Sequence, residues 1–127
     1  MRPLAILLSL ALTLPGTFAY GAVTPVNAVK TVTTAGTRIQ ATATTSIHPS
    51  SVYFEALGTN TGFIYIGLSN VSATVYIARL SPGQGISMGA DTIGSDLTLL
   101  QLSNFYIDSS VNGEKVQMTY QNHIGGN

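Results

Sequence analysis

Residues 52–67 read VYFEALGTNTGFIYIG, and this stretch decides how the chain folds. Two short runs rich in β-branched and aromatic residues, which favour strands, flank a Gly-Thr-Asn-Thr-Gly connection at 58–62. Such a pattern predicts a β-hairpin. Side chains alternate between the two faces of a strand, and the face that carries Tyr53 and Glu55 is the wetter one. The predicted core set is Val52, Phe54, Ala56, Ile64 and Ile66.

Turn signals divide the remaining chain into further short strands. Ala35-Gly36, Ser81-Pro82-Gly83 and Asn112-Gly113 are residue pairs and triplets typical of turns. Segment 96–102 is rich in leucine, and one helical turn and a strand both remain open for it. No segment after residue 23 keeps a helical period long enough for a helix of more than two turns. Further strands are predicted within 23–36, 37–46, 71–80, 85–88, 105–108 and 115–120.

This spacing predicts an all-β protein, an antiparallel β-sandwich that is jelly-roll-like and has about eight short strands. The sandwich domain is expected at 23–121, followed by a flexible tail at 122–127. Residues 1–22 form a signal-like or hydrophobic N-terminal segment, with a basic start and an apolar core at 4–14. Cleavage of this segment and its retention as a hydrophobic arm both remain open. If it is not cleaved, residues 4–23 offer a possible membrane contact.

The composition excludes several classes of function. The chain has 127 residues with five Lys and Arg, five Asp and Glu and a net charge of zero. Its charged fraction of 8% is far below the roughly 25% of an ordinary soluble domain. The few basic residues are scattered, so no nucleic-acid partner is expected. Cysteine is absent from the sequence, which excludes disulfides, thiolate catalysis and thiolate metal sites.

The histidines, aspartates and serines of the sequence do not form a motif typical of a metal site or a catalytic site. His48 and His123 are isolated and lack the spacing of metal ligands. Asp91, Asp96 and Asp108 fall near turns, where aspartate caps backbone amides. The alternative is a calcium site, but these aspartates lack the close spacing that calcium-binding loops have. No Gly-x-Ser-x-Gly elbow is present either. We therefore expect no catalytic, cofactor-binding or metal-ligating residues, no cofactor, and no enzyme activity.

The tyrosines leave one binding alternative open. Tyrosine on a strand ordinarily packs on the sheet, but its ring and hydroxyl also suit a sugar-binding platform. The tyrosines considered for such a platform are Tyr53, Tyr65, Tyr76, Tyr106 and Tyr120.

The order of several short motifs resembles a family of small β-sandwich proteins of bacteriophages. An Asn-Thr-Gly-Phe-Ile-Tyr-Ile-Gly core with a downstream Leu-Ser-Pro-Gly is the most specific part, and the resemblance covers about residues 29–120. The leader-like N-terminus departs from the pattern, since virion proteins assembled in the cytoplasm need no export. The matching segments are 34–40, 51–56, 60–67, 70–74, 80–83, 106–108 and 112–116.

The resemblance implies a non-enzymatic phage virion structural protein that binds other virion subunits. Capsid decoration, minor capsid, head-fibre and spike components are the roles that it suggests. The implied partners are major capsid or tail and fibre subunits, and a homo-oligomer is expected, with a trimer favoured. The implied location is the virion, or outside the cell if the N-terminal segment acts as a signal peptide. The alternative function is a secreted or surface β-sandwich module for glycan binding or adhesion.

Overall fold

The structure is a computed structural model that describes residues 23–89, 92–93, 96–97 and 99–123. The signal-like segment 1–22 therefore lies outside the described residues. Within them the chain forms strands and one short 3₁₀ helix, Leu102–Asn104, and no longer helix. The strands are β1 Val23–Val32, β2 Ile39–Gln40, β3 Ser51–Ala56, β4 Ile64–Gly67, β5 Ala78–Leu80, β6 Gly85–Gly89, β7 Thr92–Ile93, β8 Asp96–Leu97, β9 Tyr106–Ser109 and β10 Glu114–His123.

Eight of these strands build two four-stranded sheets that pack together. Sheet one has the order β1-β10-β3-β6, and sheet two has the order β2-β9-β4-β5. Strands β7 and β8 pair with each other as a separate ribbon. All strand pairs are antiparallel. The predicted all-β class and antiparallel β-sandwich are confirmed.

The connectivity is that of a jelly roll. If the β7–β8 ribbon is set aside, the first strand pairs with the last and the second with the seventh. The third then pairs with the sixth, and the fourth with the fifth. The first four strands therefore pair in reverse order with the last four, as in one long antiparallel hairpin that is folded around the core. This is the eight-stranded, double-sheet arrangement of a jelly roll.

The core lies between the sheets and is built by alternation. All five residues of the predicted core set are buried. Phe54 of sheet one reaches across to Phe105, with ring centroids 5.8 Å apart. Tyr53 is 40% exposed on the other side of β3, so the predicted register of that strand is confirmed. In β1 the inward residues are Val26, Ala28 and Val32, whereas Val29 faces out.

The predicted hairpin over residues 52–67 is wrong. Strand β3 pairs with β10 and β6 in sheet one, while β4 pairs with β9 and β5 in sheet two. Alternation did not distinguish the two arrangements, because the core residues of both runs face inward in either case. The connection 57–63 decides between them: it is longer than the two to five residues usual for a hairpin loop, and it crosses from one sheet to the other.

A single carboxylate holds this crossing in place. Oε1 of Glu114, the first residue of β10, accepts hydrogen bonds from the backbone N–H and hydroxyl of Thr61, both at 2.8 Å. It also accepts one from the N–H of Gly62 at 2.9 Å. Glu114 is only 3% exposed. Since a buried N–H without a partner is costly, the carboxylate makes it possible for Gly62 to be buried in this crossing.

Neighbouring contacts complete the attachment of the crossing. Asn60 accepts a hydrogen bond from the N–H of Lys115 at 2.9 Å and donates one to the Lys115 carbonyl at 2.7 Å. The N–H of Phe63 donates to Oγ of Ser110 at 2.8 Å. A Cβ atom on Gly62 would lie 2.7 Å from Cγ2 of Val111 and would also meet Ser110. The Asn-Thr-Gly motif therefore attaches the crossing to its neighbours: the Asn60 amide bonds to Lys115, and Gly62 fits where a side chain would collide with Val111.

Two other strand predictions were too long. Strand β5 covers only Ala78–Leu80 of the predicted 71–80, and β2 only Ile39–Gln40 of the predicted 37–46. In the first case a local turn competes with the sheet, as serine side chains often do. Oγ of Ser72 accepts hydrogen bonds from the N–H groups of Thr74 and Val75, so the apparent alternation from 73 to 77 lies in a loop.

The predicted tail also begins too early. Strand β10 continues to His123, where it pairs with Val23 at the start of β1. The sandwich therefore extends past the predicted boundary at 121, because the long β1 offers a partner along its whole length. Residues 124–127 of the predicted tail lie outside the described residues.

We predict that Glu114→Ala lowers the free energy of unfolding by about 2–4 kcal/mol, since the buried N–H of Gly62 loses its acceptor along with two further bonds. Glu114→Gln keeps an acceptor oxygen and should cost less. Chemical denaturation monitored by circular dichroism measures both values. The matched control is Glu55→Ala, which removes a half-exposed carboxylate of β3 and should change stability by no more than about 0.5 kcal/mol. Equal losses in the Glu114→Ala and Glu55→Ala variants would contradict the role given to Glu114.

Candidate functional site

Among the residues that the structure describes, the fold does not bring the isolated acid and base residues together. His48 is exposed in the connection between β2 and β3, and His123 ends β10. Asp108 is buried, and its Oδ1 accepts hydrogen bonds from the N–H groups of Gly36 and Ser109. The prediction that it caps backbone amides near a turn is confirmed. Asp91 lies outside the described residues. Among the residues that the structure does describe, no group of three or more His, Asp or Glu could hold a metal ion.

The tyrosines are distributed over separate surfaces and form no common platform. Tyr65 and Tyr120 are buried. Tyr76 packs on Tyr65, with ring centroids 5.5 Å apart. Tyr53 lies on the outer face of sheet one against Gly85, where a Cβ atom would collide with its ring. Tyr106 of β9 borders a concave surface.

That surface is an open cleft of about 400 Å³, within the size range of small-molecule sites. It lies where three connections of the jelly roll meet: the one after β2, the one after β4, and the one that precedes β9. Leu68 and Tyr106 supply its apolar and aromatic parts. Its remaining lining is Gln40, Thr45, Ser69, Gln101, Ser103 and Asn104.

Local hydrogen bonds position the cleft. Gln40 pairs with Tyr106 in the register of β2 and β9, and its side-chain amide donates to the carbonyl of Ser103 at 2.6 Å. The N–H of Ala41 donates to the carbonyl of Phe105 at 2.8 Å. The 3₁₀ turn Leu102–Asn104 buries Leu102 in the core, and this places Gln101 and Asn104 at the rim.

Gly67 allows the loop after β4 to pack closely beside Tyr106. It lies opposite Tyr106 in the register of β4 and β9. A Cβ atom at this position would lie 2.9 Å from Cγ2 of Val71. The strand next to the tyrosine thus carries no side chain of its own, and the loop after β4 folds back onto that position.

The cleft is neutral and rich in unused hydrogen-bonding groups. None of its eight lining residues carries a charge at neutral pH. Within the described part of the chain, the side-chain amides of Gln101 and Asn104 and the hydroxyl of Tyr106 make no hydrogen bond to protein. They can therefore bond to a ligand without breaking an internal contact. These amide and hydroxyl groups can bind and orient a ligand, and no His, Asp, Glu or Lys among the described residues lines the cleft.

The comparisons with known proteins add no relative. No family model matches the chain, and no curated protein sequence matches it. The resemblance to phage β-sandwich proteins therefore stays a prediction that rests on the motifs quoted above. Among the described residues, no helix is long and apolar enough to cross a membrane.

Sequence reasoning found one residue of the cleft and missed the others. Tyr106 was among the tyrosines considered for sugar binding. Gln40 lies in the strand predicted within 37–46, Gln101 lies within the leucine-rich segment 96–102, and Asn104 follows that segment. Nothing in their local sequence marks them, because the cleft forms only when three connections distant in the chain meet.

Proposed function

We propose that the chain is a non-enzymatic structural protein of a phage virion, a decoration, minor capsid, head-fibre or spike component that binds other virion subunits. The observation that carries this proposal is the jelly-roll order of its two sheets. Double-sheet jelly rolls of eight strands form viral capsid domains, and also lectin domains and cupins. Because a fold alone does not determine function, the surface must supply the remaining support.

The surface suits permanent contact with neighbouring subunits. The charged fraction of 8% leaves few repelling groups. Several large apolar side chains are exposed, and three of them, Val75, Tyr76 and Ile77, are consecutive. They lead directly into β5, which is the outer strand of sheet two. We call residues 75–80 the β5 edge.

The open edges of the sandwich are not equally suited to pairing with another chain. Strand β1 carries Pro25 and Lys30, and proline and lysine are among the devices that keep edge strands from pairing. The β5 edge carries one basic residue, Arg79, whose guanidinium carbon lies 4.7 Å from the centre of the Phe63 ring. Of these two edges, the β5 edge, with the exposed Val75 and Ile77, is the more suitable contact for a second copy of the chain. A trimer, the favoured oligomer, would place this edge against a different surface of the next subunit.

The buried carboxylates support a role without catalysis. Asp108 and Glu114 are the two buried acidic residues among those described. Both accept hydrogen bonds from backbone N–H groups and hold connections between strands. Their use is structural, and the neutral cleft supplies no general acid or base in their place.

The proposal predicts that the chain is a component of purified particles. Mass spectrometry of density-purified virions from a culture that expresses the gene should detect its peptides at a fixed ratio to the major capsid protein. Peptides found only in the medium or the cell envelope, with none in the particles, would contradict the virion role. That result would favour the secreted glycan-binding module.

Assembly through the β5 edge predicts an oligomer that is insensitive to salt, because screening weakens exposed charge interactions and leaves apolar contacts in place. Light scattering should report the same trimer at low and high ionic strength. Ile77→Asp should dissociate it. Val29→Asp is the matched control, since Val29 on β1 is 56% exposed and Ile77 is 55% exposed. A monomer in both salt conditions, or dissociation by Val29→Asp alone, would contradict assembly through this edge.

A further inference from the structure

We propose that the cleft between β2, β9 and the connection after β4 binds a neutral saccharide, such as one sugar unit of a cell-surface glycan. The inference is independent of the virion role, because it rests on the lining of the cleft alone. It assigns a ligand class to a site that the assembly surface does not use.

The chemistry of the lining selects the ligand class. Sugars present hydroxyl groups that donate and accept hydrogen bonds, and side-chain amides can satisfy both functions. Gln101 and Asn104 offer such amides free of internal partners, while Thr45 and Ser69 add hydroxyl groups. Tyr106 offers a ring with a polar tip, and such a ring can pack against the C–H face of a sugar while its hydroxyl bonds to it.

The absence of charged side chains from the cleft lining further restricts the class of ligand. An acidic sugar or a nucleotide brings an anionic group, and proteins usually meet such groups with Arg or Lys. No basic side chain lines the cleft. An apolar ligand is also disfavoured, since it would cover the free amides and leave them unsatisfied. A neutral, hydroxyl-rich molecule remains.

The framework of the site is rigid enough to hold one geometry. Tyr106 lies in β9, which pairs with β2 on one side and β4 on the other. The hydrogen bond from Gln40 to the Ser103 carbonyl fixes the 3₁₀ turn beside it. The groups that contact the ligand are thus attached to the sandwich, so little order must be gained on binding.

The full chain is applied to an array that carries neutral glycans, sialylated and sulfated glycans, and nucleotides. Isothermal titration calorimetry then measures the affinity of the chain for each neutral glycan that it binds on the array. We expect binding to at least one neutral glycan, and a loss of about tenfold or more in the Gln101→Ala/Asn104→Ala double variant. Tyr106→Phe, which keeps the ring, should weaken binding by a smaller factor.

The matched control removes two amides from another surface. Gln117→Ala/Gln121→Ala alters the outer face of sheet one and should leave the affinity within about twofold, the scatter of surface substitutions. Thermal unfolding checks that both double variants remain folded, and chemical-shift changes at Asn104 and Tyr106 in the unaltered chain locate the ligand without any substitution. Binding to no neutral glycan, preference for acidic glycans or nucleotides, or equal losses in both double variants would overturn the assignment.

Discussion

The carboxylate of Glu114 fixes the place where the chain crosses from sheet one to sheet two, and the jelly roll depends on that crossing. The crossing leaves backbone N–H groups outside any strand ladder, and the N–H of the buried Gly62 needs an acceptor. One oxygen of Glu114 serves the N–H groups of two successive residues and a hydroxyl group. Since β10 lies between β1 and β3 in sheet one, this acceptor stands at the centre of the end where the crossings occur.

All four crossings at this end are tied to one another. The connection after β1 is bonded to the one before β10, through Ala35 N–H to Oδ1 of Asn112 and Gly113 N–H to the Val32 carbonyl. The connection after β3 is bonded to Glu114 and Lys115. The one before β6 donates from the N–H of Gly83 to the Ala56 carbonyl. Their spatial order repeats the strand order of sheet one, so this end closes as a single hydrogen-bonded layer.

The opposite end of the sandwich differs in character and carries the cleft. Its connections after β2 and β4 are longer, and the connection before β9 carries the side-chain amides of Gln101 and Asn104, which are unpaired among the described residues. Loops held by a rigid scaffold are where binding residues concentrate. The two ends therefore have different roles. One holds the crossings between the sheets in place by hydrogen bonds, and the other presents neutral polar groups in the cleft. The β5 edge lies beside both and is apolar, which suits it to subunit contact.

The sequence predicts features that depend on neighbouring residues, and it does not predict those that depend on contacts between distant parts of the chain. Alternation is local, and it correctly predicted that Phe54 and Ile66 are buried and Tyr53 is exposed. Pairing is not local: the same alternation fits a hairpin and two facing sheets, and the deciding contact joins Thr61 to Glu114. The predicted strand through 71–77 failed because the Ser72 hydroxyl supplies a competing turn. The cleft could not be predicted, since Gln40, Gln101 and Tyr106 meet only through the completed fold.

The most direct test of the jelly-roll connectivity is the set of backbone interproton contacts of Phe54, measured by nuclear Overhauser spectroscopy of the labelled chain. The register places Phe54 between Met118 of β10 and Ile86 of β6. We expect cross-strand backbone contacts from the 51–56 segment to both neighbours and none to the backbone of residues 64–67. A ladder of backbone contacts between 51–56 and 64–67 would show a hairpin and contradict the account.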